Sequence, residues 1–534
     1  MGASQRMRLP RLPRLLLGLV TVTVLATACG STVPLDGQPS AGAAGPSGPS
    51  SEFAGPETGT DGSLDAFGDE PRGPDAVAPR DPGATSPGSV PPGSTPPGDP
   101  APSEGKPAPG TSGGPDDPEP GTQGSARIPA AADAKGVTDE TIQIGIVTTD
   151  TTAAFGVAGA MAGQTNESGG DFSEANKAAV EAVNETGGIA GRTVEPVEFF
   201  YNIANVTTAS GRQQENQRAC AHWTEDNQVF AFAGQIGTEE VLVECAARTR
   251  TPWIVGGYHV PVSQSRFDSM SPYWYRPPGF VTDRRERAVA RFLLDHGFFD
   301  GAVVGLMIED KPMTREGVER GMKPVLAAAG IETVDIHYPD MIESPWSTYV
   351  LQLQTEGVTH VVWSAMSSPF PAPLLMLRAA EDQGYRPQWG VGTDTWPSAL
   401  VLYNAPVEQM ANTRGMGWQP VYDVGDVSEQ SETARLCSEA MTRRGQPTDN
   451  WGYNQCESLF FLQAAFRQAG VVSPEGLAAG VGKLGDGYPS TMTIGGATRF
   501  APGRHDGAAL VREVVFDREA GQFAYTGGAE PVPD

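Results

Sequence analysis

The chain is predicted to be α/β, with two doubly wound parallel-sheet lobes. Strand and helix patterns alternate from about residue 138 onward. The alternation then runs through a second set after residue 280, which implies a second lobe. Several strands, such as QVFAFAG (228–234) and GAVVGLMIED (301–310), are continuous apolar runs of the kind buried in parallel sheets.

TIQIGIV (141–147) sets Ile142, Ile144 and Ile146 on one face of a strand. Ala175, Ala178, Ala179, Ala182 and Val183 follow at helical spacing over 172–185. GGIAGR turns the chain, with Gly187, Gly188 and Gly191 relieving backbone strain. TVEPVEFF resumes as a strand, and its Pro196 suggests an edge. NVTTASGRQQENQRACAHW reads as a helix, QVFAFAG as a buried strand, TEEVLVECAART as a helix and PWIVGG (252–257) as a strand.

The second set opens on the amphipathic helix TDRRERAVARFLLDHG, then the buried strand 301–310 and the helix MTREGVERGMKPVLAAAG. TVDIHYP, a helix around WSTYVLQLQTEG, VTHVVWS (358–364), PAPLLMLRAAEDQG and QWGVG continue it. GMGWQPV, a helix holding Cys437, the longer NQCESLFFLQAAFRQAG and a strand pair, ALVREVVFD and GQFAYTG, complete the chain. Open sheets bind ligands beyond the carboxyl ends of their strands, and a cleft between two lobes is the natural site.

The N-terminus has a different character. Arg6, Arg8, Arg11 and Arg14 precede an apolar stretch, Leu15 to Leu25, and small residues lead to Cys29. Residues 1–28 read as an export signal. LATAC (25–29) resembles a bacterial lipobox, with Ala26 where leucine is usual. That resemblance implies a lipid on Cys29 and anchoring to the outer face of the cell membrane; an ordinary secreted protein cut nearby is the alternative. Residues 29–135 are dominated by Pro, Gly, Ser, Ala and acidic residues. With so few large apolar side chains the stretch cannot offset its ordering entropy, so a tether is expected. Its flexible span is on the order of 60 Å. Residues 136–534 then form the folded domain.

A net charge of −27 over 534 residues argues against nucleic acid as a partner. Beyond the first thirty positions no apolar run approaches the roughly 18 residues of a membrane-spanning helix. Besides Cys29, the cysteines are Cys220, Cys245, Cys437 and Cys456. An even number in an exported chain favours disulfides, with three pairings possible. Cys220–Cys245 and Cys437–Cys456 are preferred, because each pair lies on two predicted helices consecutive in sequence. Zinc is the rival, but there is no CxxC and only His222 lies close to a cysteine.

Over roughly 138–527 the chain resembles the type I periplasmic solute-binding proteins of the branched-chain amino-acid/amide transporter group. The resemblance is carried by GVTDETIQIGIV, NETGGIAGR, TEDNQVFAFAGQIGTEE, TPWIVGG and the helix that opens the second lobe. It implies two lobes hinged by crossing strands, closing on a small-molecule solute and presenting it to ABC permease subunits. In this family the lobes are discontinuous, which gives 138–277 with 415–500 and 278–414 with 501–534. An insertion, GVAGAMAGQTNESGGD, stands between the first strand and Phe172, near the expected mouth of the cleft.

Catalysis finds no support in the motifs. HExxH, GxSxG, GxxxxGK[ST] and a GxGxxG after a strand are all missing, and His505–Asp506 reads as a turn. No enzyme activity, cofactor or metal is expected, and a monomer is. Ligand-binding candidates are the loops that follow strands. Thr148, Thr149 and Phe155 come after the first strand, with ordinary loop packing as the alternative. Gln235, Gly237 and Thr238 precede a helix whose amides suit a carboxylate, although Thr238 could be a plain N-cap. Tyr258 and His259 could wall the pocket or lie on the surface. In the second lobe Ser364, Met366, Asp394 and Trp396 end strands; Lys311 is a weaker candidate. Asp394 would face an ammonium or amide N–H of a zwitterion, or else cap the segment around Trp396. Two other functions share the fold: a ligand-sensing receptor signalling through a membrane partner, and an envelope protein with an inactive cleft.

Overall fold

Strands β1 (Thr141–Thr148), β2 (Thr193–Phe200), β3 (Ala231–Ala233), β4 (Trp253–Ile254) and β5 (Trp274–Tyr275) form a parallel sheet in the order β2-β1-β3-β4-β5. The computed structural model describes residues 127–150, 170–234, 240–257, 261–339, 342, 344–367, 371–425 and 431–533. Cys29, the rest of the expected tether up to residue 126, Phe155, Gln235, Gly237, Thr238, Tyr258 and His259 lie outside the described residues.

β1 is central, and Ile142, Ile144 and Ile146 are fully buried in one core cluster. Pro196 lies in β2 at the sheet edge, where a missing N–H is tolerated. Between α1 (Phe172–Glu185) and β2 the turn takes positive φ at Gly187, Gly188, Ala190 and Gly191. At Gly188 a Cβ would meet Arg192 O at 1.9 Å, so the close turn admits only glycine.

The second sheet comprises β6 (Val304–Glu309), β7 (Thr333–Tyr338), β8 (His360–Trp363), β9 (Gln388–Gly392), β10 (Thr413–Gly417), β11 (Leu510–Asp517) and β12 (Gln522–Pro531). Its order is β12-β11-β10-β9-β8-β6-β7. β6 to β10 are parallel, and β11 and β12 add an antiparallel edge pair. Residues 415–417 therefore lie in this sheet, and the chain leaves it only after Gly417.

Helices cover both faces of each sheet. On the first, α1, α13 (Glu432–Arg443), α14 (Asn450–Gln468) and α15 (Pro474–Val481) pack on one side. The other side carries α2 (Ala209–Ala221), α3 (Glu240–Thr249) and α4 (Gln264–Met270). On the second sheet, α5 (Thr282–Asp295), α6 (Pro312–Gly317) and α7 (Lys323–Ala328) cover one face. α8 (Trp346–Thr355), α9 (Ala372–Asp382), α10 (Pro397–Leu402) and α11 (Val407–Met410) cover the other; the short α12 (Pro420–Asp423) follows β10. The wide helical turn Val318–Met322 joins α6 to α7 just before Pro324, which has no N–H to give the helical ladder. Disulfides link Cys220 to Cys245 and Cys437 to Cys456, fastening α2 to α3 and α13 to α14.

The chain passes between the sheets after β5, after β10 and before β11, and these passages bond to one another. Arg276 N donates to His505 O at 2.9 Å and Gly507 N to Arg276 O at 3.2 Å. Gln419 Nε2 donates to Pro278 O at 2.7 Å. Asp506 accepts from Val281 N at 3.0 Å and pairs with Arg284 at 2.9 Å. Three crossings, two of them bridged in parallel through their backbones and the third tied on by a side-chain amide, have the form of a hinge between two lobes.

Candidate functional site

The carboxyl ends of both sheets lead towards the crossings, and the sequence candidates follow those ends. Thr148 is buried at the end of β1, and Thr149 Oγ1 donates to Tyr201 O at 2.7 Å. Gly234 directly follows β3, and β4 runs on through Val255 into Gly256 and Gly257. All three glycines face α14. A Cβ at Gly234 would meet Gln455 Oε1 at 2.1 Å, one at Gly256 would meet Asn454 O at 2.0 Å, and one at Gly257 would meet Asn454 Oδ1 at 2.3 Å. Bare glycines thus bring the helix to the carboxyl edge of the sheet.

In the second lobe the strand ends carry a buried charge network. Arg285, on α5, donates to Asp394 Oδ1 at 2.7 Å, to Glu286 Oε2 at 3.0 Å and to Trp363 O at 3.0 Å. Glu286 also accepts from Ala365 N at 2.5 Å. Burial pushes the Glu286 carboxyl up to about 7, against the lowering pull of Arg285. At the end of β6, Glu309 accepts from Ser367 N and Ser367 Oγ at 2.7 and 2.5 Å. Lys311 Nζ donates to Ser367 Oγ at 3.0 Å and lies 3.3 Å from Glu309.

Asp394 therefore stands against a buried cation of its own lobe. Ser364 continues the strand ladder, its N–H donating to Met307 O at 3.0 Å. Met366 is part of the hydrophobic core of the second lobe. Trp396, at φ +50, packs against the cores of both lobes and sets its ring edge-on to Tyr422, with centroids 5.4 Å apart. Tyr422 in turn accepts from Asn454 Nδ2 at 2.8 Å. Trp396, Tyr422 and Asn454 form a chain of contacts from one lobe to the other.

The sequence reading missed Arg285, Glu286, Glu309 and Ser367, together with the polar turn of α14. The signal for the last was present: NQCES interrupts an otherwise apolar helix, and Asn454, Gln455, Glu457 and Ser458 are all fully buried. Among the described residues no group of three or more His, Cys, Asp or Glu could hold a metal. No helix of the described residues is long and apolar enough to cross a membrane.

The family model for periplasmic binding proteins matches residues 141–510. The chain belongs to the periplasmic binding protein family. The match spans β1 to β10 and the crossings between the sheets, so the hinge is that of a type I periplasmic binding protein. This is a family of extracytoplasmic solute-binding proteins that work with ABC permeases. No curated protein matches the chain in sequence.

Solved structures are similar in fold. One is a solute-binding protein of an ABC transporter from Rhodopseudomonas palustris, in complex with 4-hydroxybenzoate. It has TM-score 0.54 and 15% identity over 74% of this chain and 98% of that one. A fatty-acid ABC transporter substrate-binding protein from Thermomonospora curvata has TM-score 0.51 and 17% identity, over 77% and 98%. A leucine-binding protein from Thermotoga maritima has TM-score 0.52 and 13% identity, over 72% and 98%.

Proposed function

We propose that this chain is an extracytoplasmic solute-binding lipoprotein, anchored through Cys29, that captures a small polar solute between its lobes and delivers it to an ABC importer. The observation that carries this reading is the family match across two doubly wound sheets joined by three bonded crossings. The two lobes are assigned to 138–277 with 418–500 and to 278–417 with 501–534, following the sheets. Solute-lining residues are proposed at the loops after β3 and β4, with Thr238 and Tyr258, and across the cleft at Trp396. A tether from Cys29 to residue 126 would let the folded domain work away from the membrane surface; the expected boundary at 135 moves back, because Ile128 N donates to Ala190 O at 3.2 Å and Ala130 bridges Val472.

The solute is proposed to be an amino acid, an amide or another small acid. Of the similar proteins, one is in complex with 4-hydroxybenzoate and the others are a fatty-acid and a leucine binder, and each of these solutes carries a carboxyl group. A carboxyl or carbonyl oxygen is what the backbone amides before a helix accommodate. A thermal-shift screen of the mature protein against leucine, isoleucine, 4-hydroxybenzoate, octanoate, acetamide and urea tests the proposal. A solute at 100 times its Kd adds about 2.7 kcal/mol of stability, which the screen reads as a raised melting temperature. No shift with any amino acid, amide or acid would overturn the assignment.

A further inference from the structure

The first turns of α14 bury polar side chains where a helix packed under a sheet ordinarily places apolar ones. Most of them are bonded. Asn454 donates to Tyr422, and Ser458 Oγ accepts from Gly234 N at 2.9 Å and donates to Ile254 O at 3.1 Å. Glu457 accepts from Thr491 N at 2.6 Å and from Thr491 Oγ1 at 2.7 Å.

Gln455 differs. Its side chain is fully buried, and neither Oε1 nor Nε2 has a hydrogen-bond partner. The amide lies against Gly234, the residue that follows β3 and, at φ +89, turns the chain away from the strand. Any side chain at 234 would strike it. A primary amide has two N–H donors and an acceptor oxygen, and burying it unbonded is unfavourable. Met or Leu would fill the same volume without that penalty. The chain thus keeps an unbonded amide at the carboxyl edge of the sheet, where open α/β sheets bind ligands.

We infer that the Gln455 amide is a specificity-determining group of the first lobe, completing its hydrogen bonds with a solute that offers a donor and an acceptor side by side. Primary carboxamides, ureas and un-ionised carboxyl groups have that edge; a carboxylate satisfies only the Nε2 side. The inference rests on the proposed function and specifies which solutes the site prefers.

The test uses the mature chain and its Gln455→Met variant. Calorimetric affinities are measured for two matched pairs: leucine with leucinamide, and 4-hydroxybenzoate with 4-hydroxybenzamide. Wild type is expected to bind the amide of at least one pair fivefold or more tighter, and Gln455→Met to lose that preference and tenfold or more in affinity. The ligand-free variant is expected to melt at or above wild type, because an unbonded polar group has gone. Equal affinity for both members of each pair, or unchanged amide affinity in the variant, would overturn the inference. So would a ligand-free variant melting below wild type, the mark of an amide bonded to a structural water. If none of the four probes binds wild type, the proposed function loses support and the inference, which predicts that wild type binds an amide of these pairs, is overturned with it; a ligand-free variant melting at or above wild type in that case marks the failure as one of the solute reading and not of the unbonded amide.

Discussion

Asp394→Ala perturbs the buried network at the end of β9. Asp394 Oδ1 and Arg285 Nη2 lie 2.7 Å apart, with side chains 5% and 1% exposed. Removing one partner of a buried pair costs about 3–5 kcal/mol, because the other charge is left uncompensated. Arg285 keeps Glu286 Oε2 and Trp363 O at 3.0 Å, so the lower end, about 3 kcal/mol, is expected. The assay is urea denaturation of wild type, Asp394→Ala, Arg285→Met and the double variant, with ΔG extrapolated to water. The double variant should be less destabilised than the sum of the singles by about 1 kcal/mol or more, since the residues are in contact. An Asp394→Ala variant within about 0.5 kcal/mol of wild type would show that Arg285 does not depend on Asp394 for its buried charge. It would also restore Asp394 as a charge available to an ammonium group of the solute.

Three further outcomes are expected. Burial pushes Glu286, Asp423 and Glu457 up to about 7, so the folded chain holds protons that the unfolded chain releases between roughly pH 4.5 and 7. Their stabilisation is complete below that window and lost as pH rises through it. His505, pushed down to about 4 by burial, acts in the opposite sense between about pH 4 and 6.5. Three acids outweigh one histidine, so the melting temperature should fall from about pH 5 to about pH 7.5. Glu457→Gln should reduce the slope by up to about 1.4 kcal/mol per pH unit, and a parallel curve would count against the buried carboxyl. Replacing either cysteine pair by alanine should remove roughly 3 kcal/mol, given closures of 25 and 19 residues, and a change under about 1 kcal/mol would contradict it. Cys29→Ser should release the protein into the medium or leave it unprocessed; normal cleavage with membrane retention would exclude the anchor.

The alternation of strands and helices was legible because each signal is local: Ile142, Ile144 and Ile146 share a face whatever the rest of the chain does. The glycine turn at 187–191 was legible for the same reason, since positive φ is a demand of the backbone itself. β5 was not, being two residues long and bounded by Pro272 and Pro277. PWIVGG reads as a six-residue strand, yet only Trp253 and Ile254 pair, because Gly256 and Gly257 make room for α14. At the site, TDRRERAVARF reads as an amphipathic helix, whose charged residues are expected on its outer face. Arg285 and Glu286 are nevertheless buried, and the partner that makes this tolerable, Asp394, lies 109 positions away. Long-range pairing of that kind leaves no periodic trace in a sequence.

The two lobes are proposed to hold one small solute between them. Titration calorimetry of the protein with the strongest compound from the thermal-shift screen measures this. A single class of sites at one solute per chain is predicted, with a negative heat-capacity change from apolar surface buried as the lobes close. Several weak sites per chain, or no saturable heat at all, would contradict it.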